Sequence, residues 1–360
     1  MKSYLIKIVS VVLCFSMLFC VNASAADPQS VSVQSESAGD TVMKGLYNAL
    51  NVIVEGLVST ICKIYPDSAN WQNIDDYDRA EVGFMPGREN YQTEAAQSNY
   101  WTLGYSSKSL VPEDIDNGKY NIGRGLTNKL AQGVYDDMRI RVAVIDDNSG
   151  EGAVVLGAID ALGVTSTDIR AMRKAVLEYC REQNIKVSSI NIVSTHAHSA
   201  LDTQGVSTGF VNKLFGAFWT NILGIDSALP GLETAEYFKN YFIGESVKAI
   251  KEAFENRESG KLYFSTADFS EYIKDKRELI AKEDLPETAV LRFVPDSGKG
   301  ETYIADITCH ATSFSAGHNL VGSDYIYYMD KYIKDEVGGN FIMIPGAVGQ
   351  VSRDIEVDTT

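Results

Sequence analysis

Cysteine and proline are scarce in this sequence, with 5 and 8 occurrences among 360 residues. Only Cys62, Cys180 and Cys309 lie beyond the apolar amino terminus, so at most one disulfide is available and a disulfide scaffold is excluded. The low proline content, beside 29 glycines and 45% hydrophobic residues, excludes collagen-like, low-complexity and wholly disordered chains. The chain is long enough to bury one large core or two smaller ones.

Positive charge is also in short supply, with 32 Lys and Arg against 48 Asp and Glu, a formal net charge of -16. Lysine and arginine form no dense run, and a surface this negative repels the phosphate backbone of a nucleic acid. We therefore expect no nucleic-acid partner. Cations and neutral substrates are easier for such a surface to accommodate.

Long apolar runs are absent apart from one at the amino terminus. Lys2 and Lys7 precede an apolar run over residues 8–21 that ends at Ala23-Ser24-Ala25, the small-x-small pattern that a signal peptidase cleaves. The run is shorter than the roughly 20 residues that a comfortable transmembrane helix needs. The sequence therefore predicts a signal peptide over 1–25 and export to a periplasmic or extracellular location, with cleavage near Ala25.

The next two segments show different patterns. Residues 26–42 are rich in serine, alanine and acidic residues, which predicts a flexible leader. Residues 43–64 place leucine, isoleucine and valine at helical spacing, which predicts an amphipathic helix. It either docks on the body of the protein or lies on a membrane surface. We take 43–360 as one folded domain.

The remainder alternates strand-like and helix-like segments, which predicts an α/β fold of mixed sheets flanked by helices. In such folds the loops at the carboxyl ends of strands form the site. The helices are predicted over 166–183, 232–258 and 324–337. The strands are predicted over 139–145, 153–160, 188–195, 261–267, 289–294, 302–309 and 341–344.

Histidine is rare, and all 4 histidines lie in two short segments that follow predicted strands. His196 and His198 follow one strand, and His310 and His318 follow another. Two histidines separated by one residue can face one pocket, and neutral imidazole is a common zinc ligand. The alternative is that the His-x-His pair consists of ordinary polar loop residues. The second strand that ends in a histidine favours a metal site.

Acidic residues lie at the same strand ends. Asp160 ends an apolar strand, where an unpaired buried charge would be costly, and Asp202 follows the His-x-His loop. Asp160 and Asp324 could each orient a ligating imidazole through its second nitrogen. Asp324 could equally cap the helix that begins at Tyr325.

The last predicted strand leads into a glycine-containing loop over residues 345–354. Gly346 and Gly349 let the backbone approach a ligand or expose amide groups, and Ser352 supplies a hydroxyl at the end of the loop. A phosphate-binding P-loop is excluded, because no Gly-Lys-Ser/Thr follows.

These segments together resemble the amino-terminal catalytic domain of the neutral (non-lysosomal) ceramidase family, from about Tyr120 to Asp354, in the family's order. The matching segments are Gln132 to Met138, the Asp-x-x-Gly turn 160–163, the Thr-His-x-His-Ser segment 195–199, the His-x-x-Ser segment 310–313 followed by Ser323-Asp324, and the glycine loop 346–352.

The resemblance implies specific roles for individual residues. His196 and His310 would bind a zinc ion, and His198 would lie beside the metal as a catalytic residue. Ser352 would be the catalytic serine, and Arg277 would contact the substrate. The family's remaining zinc ligands, a Glu and a Tyr, follow the serine loop at a greater distance than remains here, so we expect them beyond Thr360.

The resemblance implies an exported zinc-dependent amidohydrolase that cleaves ceramide or a related N-acyl lipid into a fatty acid and a sphingoid base or amine. One alternative is a metallohydrolase that acts on another ester or amide, and another is a degenerate lipid-binding homologue. An apolar stripe from Phe210 to Leu223 could guide an acyl chain or touch a membrane surface, or it could be a buried packing helix.

Overall fold

The computed structural model describes residues 100–124, 129–205, 207, 232–275, 287–314, 319–349 and 351–353. The chain divides into two units, Met1–Asp67 and Ser68–Thr360, and every described residue lies in the second. Several sequence predictions fall outside the described residues: the signal peptide, the leader, the helix over 43–64, the apolar stripe from Phe210 to Leu223, Arg277 and His318.

The secondary structure alternates strands and helices, as the sequence predicts. The elements are β1 (Trp101–Ser109), β2 (Arg139–Asp146), β3 (Ala153–Ile159), α1 (Ser166–Glu182), β4 (Val187–Ser194), α2 (Leu232–Glu255), β5 (Glu258–Ala267), β6 (Ile273–Asp275), β7 (Thr288–Pro295), β8 (Thr302–Ile307), α3 (Tyr325–Tyr332), β9 (Asn340–Pro345) and β10 (Val351–Arg353). Within the described residues, two 3-10 turns, Ile115–Asn117 and Ser270–Tyr272, and a π-helical turn, Ile333–Val337, that continues α3 complete the regular structure.

Eight of the strands form one mixed sheet in the order β4-β3-β2-β1-β5-β7-β8-β9, and β10 pairs with β6 in a small separate sheet. The two parallel pairs are β3 with β4 and β8 with β9. Helix α1 connects the first pair and α3 lies in the connection of the second, because parallel neighbours need a long crossover. The predicted fold class, an α/β fold with a mixed sheet and flanking helices, is confirmed.

The sheet has an apolar core on each face. Alternate side chains of a strand point to opposite faces, and β2 shows this directly. Val142 and Val144 belong to the larger core with residues of α1, α2 and α3, whereas Ala143 and Ile145 belong to a second core with Ile304 and residues of other strands. Strand β9 contacts β2, β3 and β4, so the sheet bends over on itself around the second core.

Helix α1 forms where the sequence supplies both a cap and an apolar stripe. The side chain of Thr165 accepts a hydrogen bond from the backbone N–H of Asp168, which satisfies one of the free donors of the first turn. Met172, Val176 and Cys180 follow at intervals of four and are buried. Each such side chain contributes about 1.5–3 kcal/mol on burial, so packing rather than helix propensity holds α1 on the sheet.

Helix α2 packs closely against β1 at a glycine. A Cβ atom at Gly104 would collide with the carbonyl oxygen of Ala253 in α2, so only glycine lets the helix backbone approach the strand here. In the described part of the chain, none of the helices combines the length and apolar character needed to span a membrane.

Candidate metal centre

Three imidazoles from two distant parts of the chain meet at one point. His196 and His198 lie in the loop after β4, and His310 lies three residues beyond the end of β8. One ligand nitrogen of each ring lies within 4.8 Å of the others, and all three side chains are half-buried. The ring centroids are separated by 4.9, 4.7 and 4.8 Å. The structure therefore brings together three of the four histidines that the sequence singled out, and His318 lies outside the described residues.

The ring of His196 has a fixed orientation. Its Nδ1 lies 2.8 Å from the carbonyl oxygen of Leu162. A carbonyl only accepts, so Nδ1 carries the proton and Nε2 presents a lone pair toward the other rings. The backbone of His196 has φ 62, in the left-handed region that non-glycine residues rarely adopt. The loop after β4 is thus held in an unusual conformation at the residue that offers this nitrogen.

His198 and His310 are in direct contact through their Nε2 atoms, which lie 2.8 Å apart. At this distance one ring donates a proton in a hydrogen bond to the other, because two lone pairs would repel. A metal ion takes the place of such a proton when ligating nitrogens converge. The backbone N–H of His198 also donates to the carbonyl of Ala311 at 3.2 Å, so the two histidine loops are joined directly.

The donor set fits a transition-metal ion. Three imidazole nitrogens are a complete protein ligand set for a catalytic zinc site, which keeps its remaining position for water or substrate. The sequence assigned His196 and His310 as ligands and His198 as a catalytic neighbour, but the structure places His198 in the same group. The three histidines could therefore hold one metal ion without a further ligand from the described part of the chain.

Asp160 does not orient an imidazole in the way that the sequence suggested. Its carboxylate accepts from Arg141 Nη1 at 2.7 Å, from the backbone N–H of Arg139 at 3.0 Å and from Thr195 Oγ1 at 3.3 Å. The partner of the His196 ring is instead the carbonyl of Leu162, two residues beyond Asp160. Asp160 thus anchors the residue before His196 and the turn that holds the His196 ring.

Asp324 caps α3, which confirms that alternative from the sequence. Its Oδ1 accepts from the backbone N–H of Tyr325 at 2.8 Å. Its Oδ2 accepts from the backbone N–H groups of Ser313 at 2.7 Å and Phe314 at 3.2 Å. The carboxylate of Asp324 therefore binds backbone amides of the loop that carries His310, and these bonds do not involve the imidazole ring.

Asp202 serves its own loop. Its carboxylate accepts from the backbone N–H groups of Gln204 at 3.2 Å and Ser207 at 2.7 Å. These bonds close the turn after the His-x-His segment and show a local structural role for this residue.

Ser352 lies in β10, opposite Lys274 of β6. The preceding residue, Val351, accepts a hydrogen bond at its carbonyl from the backbone N–H of His310 at 3.0 Å. The strand that carries the half-buried Ser352 is thereby attached to the histidine cluster. This backbone contact brings the strand that carries Ser352 next to the loop of His310.

Two charged residues near the cluster were not singled out by sequence reasoning. Arg124 donates from Nε to the carbonyl of His198 at 3.3 Å, and burial lowers the pKa of its guanidinium. Asp136 is buried beneath the segment that precedes α3. Burial raises its pKa to about 7, a bond from the Ser323 N–H opposes this, and the charges of nearby carboxylates add to it. The one signal in the sequence was the Asp136-Asp137 pair in the segment that resembles the ceramidases.

The fold and the cluster together define an α/β protein with a triad of histidines at the ends of two strands. A solved structure of neutral ceramidase from Pseudomonas aeruginosa shares this fold, with a TM-score of 0.54 and 17% sequence identity over 72% of this chain and 40% of that chain. A ceramidase complexed with C2 shares it with a TM-score of 0.52 and 16% identity over 70% of this chain and 38% of that one.

The comparison confirms the resemblance to neutral ceramidases at the level of the fold. The chain spans about two fifths of the length of each of these two proteins. No protein-family model and no curated protein sequence matches the chain. The likeness is therefore one of three-dimensional structure.

Proposed function

We propose that the protein is an exported zinc-dependent amidohydrolase that cleaves the N-acyl bond of ceramide or a related N-acyl lipid. The observation that carries the proposal is the convergence of His196, His198 and His310 within 4.8 Å in a fold shared with ceramidases. The substrate class is taken from the two ceramidase structures that share the fold. Hydrolysis is expected because the three imidazoles could hold a metal ion.

His196 and His310 hold the metal ion in this proposal, and His198 is either a third ligand or the residue that carries a proton. When bound, zinc supplies a Lewis acid that polarises the amide carbonyl of the substrate. Leu162 keeps the proton of His196 on Nδ1, so Nε2 faces the cluster. His198, whose Nε2 contacts that of His310, lies where it can complete the ligand set or pass a proton to the leaving amine.

Ser352 is the proposed catalytic serine. The hydrogen bond from His310 to the Val351 carbonyl fixes the backbone next to Ser352 relative to the histidines. The Ser352 hydroxyl can attack the amide carbonyl and give its proton through His198 to the amine, which leaves as the C–N bond breaks; water then hydrolyses the acyl-serine ester to the fatty acid. The backbone amides of the glycine loop can stabilise the negative charge that develops on the carbonyl oxygen. Arg277 is the proposed contact with the polar part of the substrate, and the stripe from Phe210 to Leu223 the proposed guide for its acyl chain at a membrane surface.

Fatty-acid release from ceramide tests the proposal. The purified chain, loaded with zinc, is assayed on ceramides of several acyl lengths and on a small polar amide, and its metal content is measured. We expect about one zinc per chain and release from the lipids only. A chain that binds zinc but releases fatty acid from no N-acyl lipid would overturn the assignment as an amidohydrolase of lipids.

A further inference from the structure

A short segment before α3, residues 321–324, contacts both histidine loops and is called the clamp segment below. On one side it meets the loop of His198. The N–H of Gly322 donates to the Ser199 carbonyl at 3.0 Å, and the Ser199 hydroxyl donates to the Gly322 carbonyl at 2.9 Å. Ser199 directly follows His198 and is fully buried, so this reciprocal pair fixes the backbone beside that ring.

On the other side the clamp segment meets the loop of His310. Asp324 Oδ2 accepts from the N–H groups of Ser313 and Phe314, on the carboxyl-terminal side of His310. The Tyr325 hydroxyl donates to the carbonyl of Cys309 at 2.7 Å, immediately before His310. The backbone is thus held on both sides of the ring.

The conformation of Asp324 shows that these contacts are held against strain. Its φ of 62 and ψ of -149 lie in a region that glycine occupies almost alone. A non-glycine residue there costs of order 1–3 kcal/mol and persists where its surroundings determine it. Thr165, which caps α1, has an ordinary extended backbone with φ -71 and ψ 150, so helix capping by itself does not explain an aspartate in this conformation.

Asp136 and Asp137 form a third set of contacts with the clamp segment. The N–H of Ser323 donates to Asp136 Oδ1, and the Ser323 hydroxyl donates to the carbonyl of Asp137. A Cβ atom at Gly322 would lie 2.8 Å from Asp136 Oδ1, so the segment packs directly on this carboxylate. The clamp segment is therefore a fixed part of the core and not a mobile strap.

We propose that the clamp segment sets the spacing of His198 and His310, with Asp324 and Ser199 as positioning residues for the metal ligands. The two rings are 112 residues apart in the chain yet meet at 2.8 Å. Removing a contact that orients a ligand typically lowers metal affinity by about 10–100-fold. This inference rests on the proposed metal site.

Zinc affinity, measured by competition with a chromophoric chelator, tests the inference. Asp324→Gly removes the carboxylate and suits the backbone conformation, so relief of strain offsets part of the cost of the lost hydrogen bonds, and urea unfolding checks that the variant is folded. We expect its zinc affinity and that of Ser199→Ala to fall about 10–100-fold. Thr165→Ala is the matched control, because it removes the cap of α1 and should leave zinc affinity unchanged.

A second readout in the metal-free protein separates this inference from the proposed function. Nuclear Overhauser contacts between the rings of His198 and His310 report their spacing, and we expect both variants to weaken these contacts while Thr165→Ala does not. Wild-type zinc affinity in both variants, or an equal loss of zinc affinity in Thr165→Ala, would contradict the proposed positioning role of the clamp segment. A wild-type chain that binds no zinc would contradict the proposed function, and the ring contacts in the metal-free protein would then decide the clamp alone.

Discussion

Arg141 and Asp160 form an ion pair, with Nη1 2.7 Å from Oδ2, in which neither side chain is exposed to solvent. Arg141 also contacts Asp330 of α3 at 3.2 Å, so one buried guanidinium joins β2, the end of β3 and α3. Asp160 in turn accepts from Thr195, the residue before His196. A buried charge network thus connects the interior of the sheet to the first histidine of the cluster.

Asp160→Asn is expected to lower the free energy of unfolding by about 3–5 kcal/mol. Removing one partner of a buried pair leaves the other charge buried without full compensation. Urea unfolding measures the effect. Asp335→Asn, which breaks the exposed ion pair of Lys331 and Asp335, is the matched control and should change stability little. Equal, small losses in both variants would show that the Arg141 network does not stabilise the fold.

Zinc is expected to raise the melting temperature of the wild-type chain. A ligand that binds only the folded state at 100 times its Kd adds about 2.7 kcal/mol of stability. His196→Ala and His310→Ala should lose the shift. His198→Ala should weaken it, because a ligand nitrogen of that ring lies within 4.8 Å of those of the other two. Differential scanning fluorimetry with and without a chelator measures these changes, and a full zinc shift in His198→Ala would reassign that residue to proton transfer alone.

The strands of the sheet could be predicted from the sequence wherever branched apolar residues dominate. Strand β1 could not, because its second half contains Ser106, Ser107 and Lys108. Those residues are satisfied by distant partners. Ser106 donates to Glu252 of α2 at 3.0 Å, and Lys108 pairs with the same carboxylate at 2.7 Å. Strand β1 was therefore not recognisable in the sequence. Its polar groups meet their hydrogen-bond and ion-pair partners only in the folded protein.

The histidine cluster was predictable for a different reason. Histidine is rare in the chain, and the strand ends before His196 and His310 could be recognised locally. The role of Asp160 was not predictable, since its partner Arg141 lies on the neighbouring strand, opposite Ala158 in the β2–β3 register. Register is set by the whole sheet. The contacts of Asp324 with Ser313 and Phe314 were not predictable for the same reason, because they join two segments that are separated in the chain.

The buried carboxyl of Asp136 is expected to make stability depend on pH. Burial raises its pKa from 3.8 to about 7, the Ser323 N–H opposes this, and Asp160, Asp324 and Asp137 add repulsion. The folded protein therefore holds this proton more tightly than the unfolded chain. Its contribution to stability is fully present below pH 3.8 and is lost as the pH rises through about 7. The loss is of order 1.4 kcal/mol for each pH unit in this window.

Asp136→Asn isolates the effect, because asparagine still accepts from Ser323 but does not titrate. Urea unfolding of the wild type and the variant is compared from pH 4 to pH 8. We expect the wild type to lose stability relative to the variant as the pH rises. A difference that stays constant across this range would contradict the raised pKa.

Ser352→Ala is expected to abolish hydrolysis while zinc binding stays unchanged. The contact that attaches β10 to the histidine cluster runs from the His310 N–H to the Val351 carbonyl, and β10 pairs with β6 through its backbone, so neither needs the serine hydroxyl. Loss of a catalytic nucleophile lowers kcat by about a thousand-fold or more. Ser265→Ala, at an exposed serine of β5, controls for the loss of a strand hydroxyl. Metal content and ceramide turnover are measured on the same samples. Loss of zinc together with turnover would make Ser352 a residue that supports the metal site, and unchanged turnover would remove it from the chemistry.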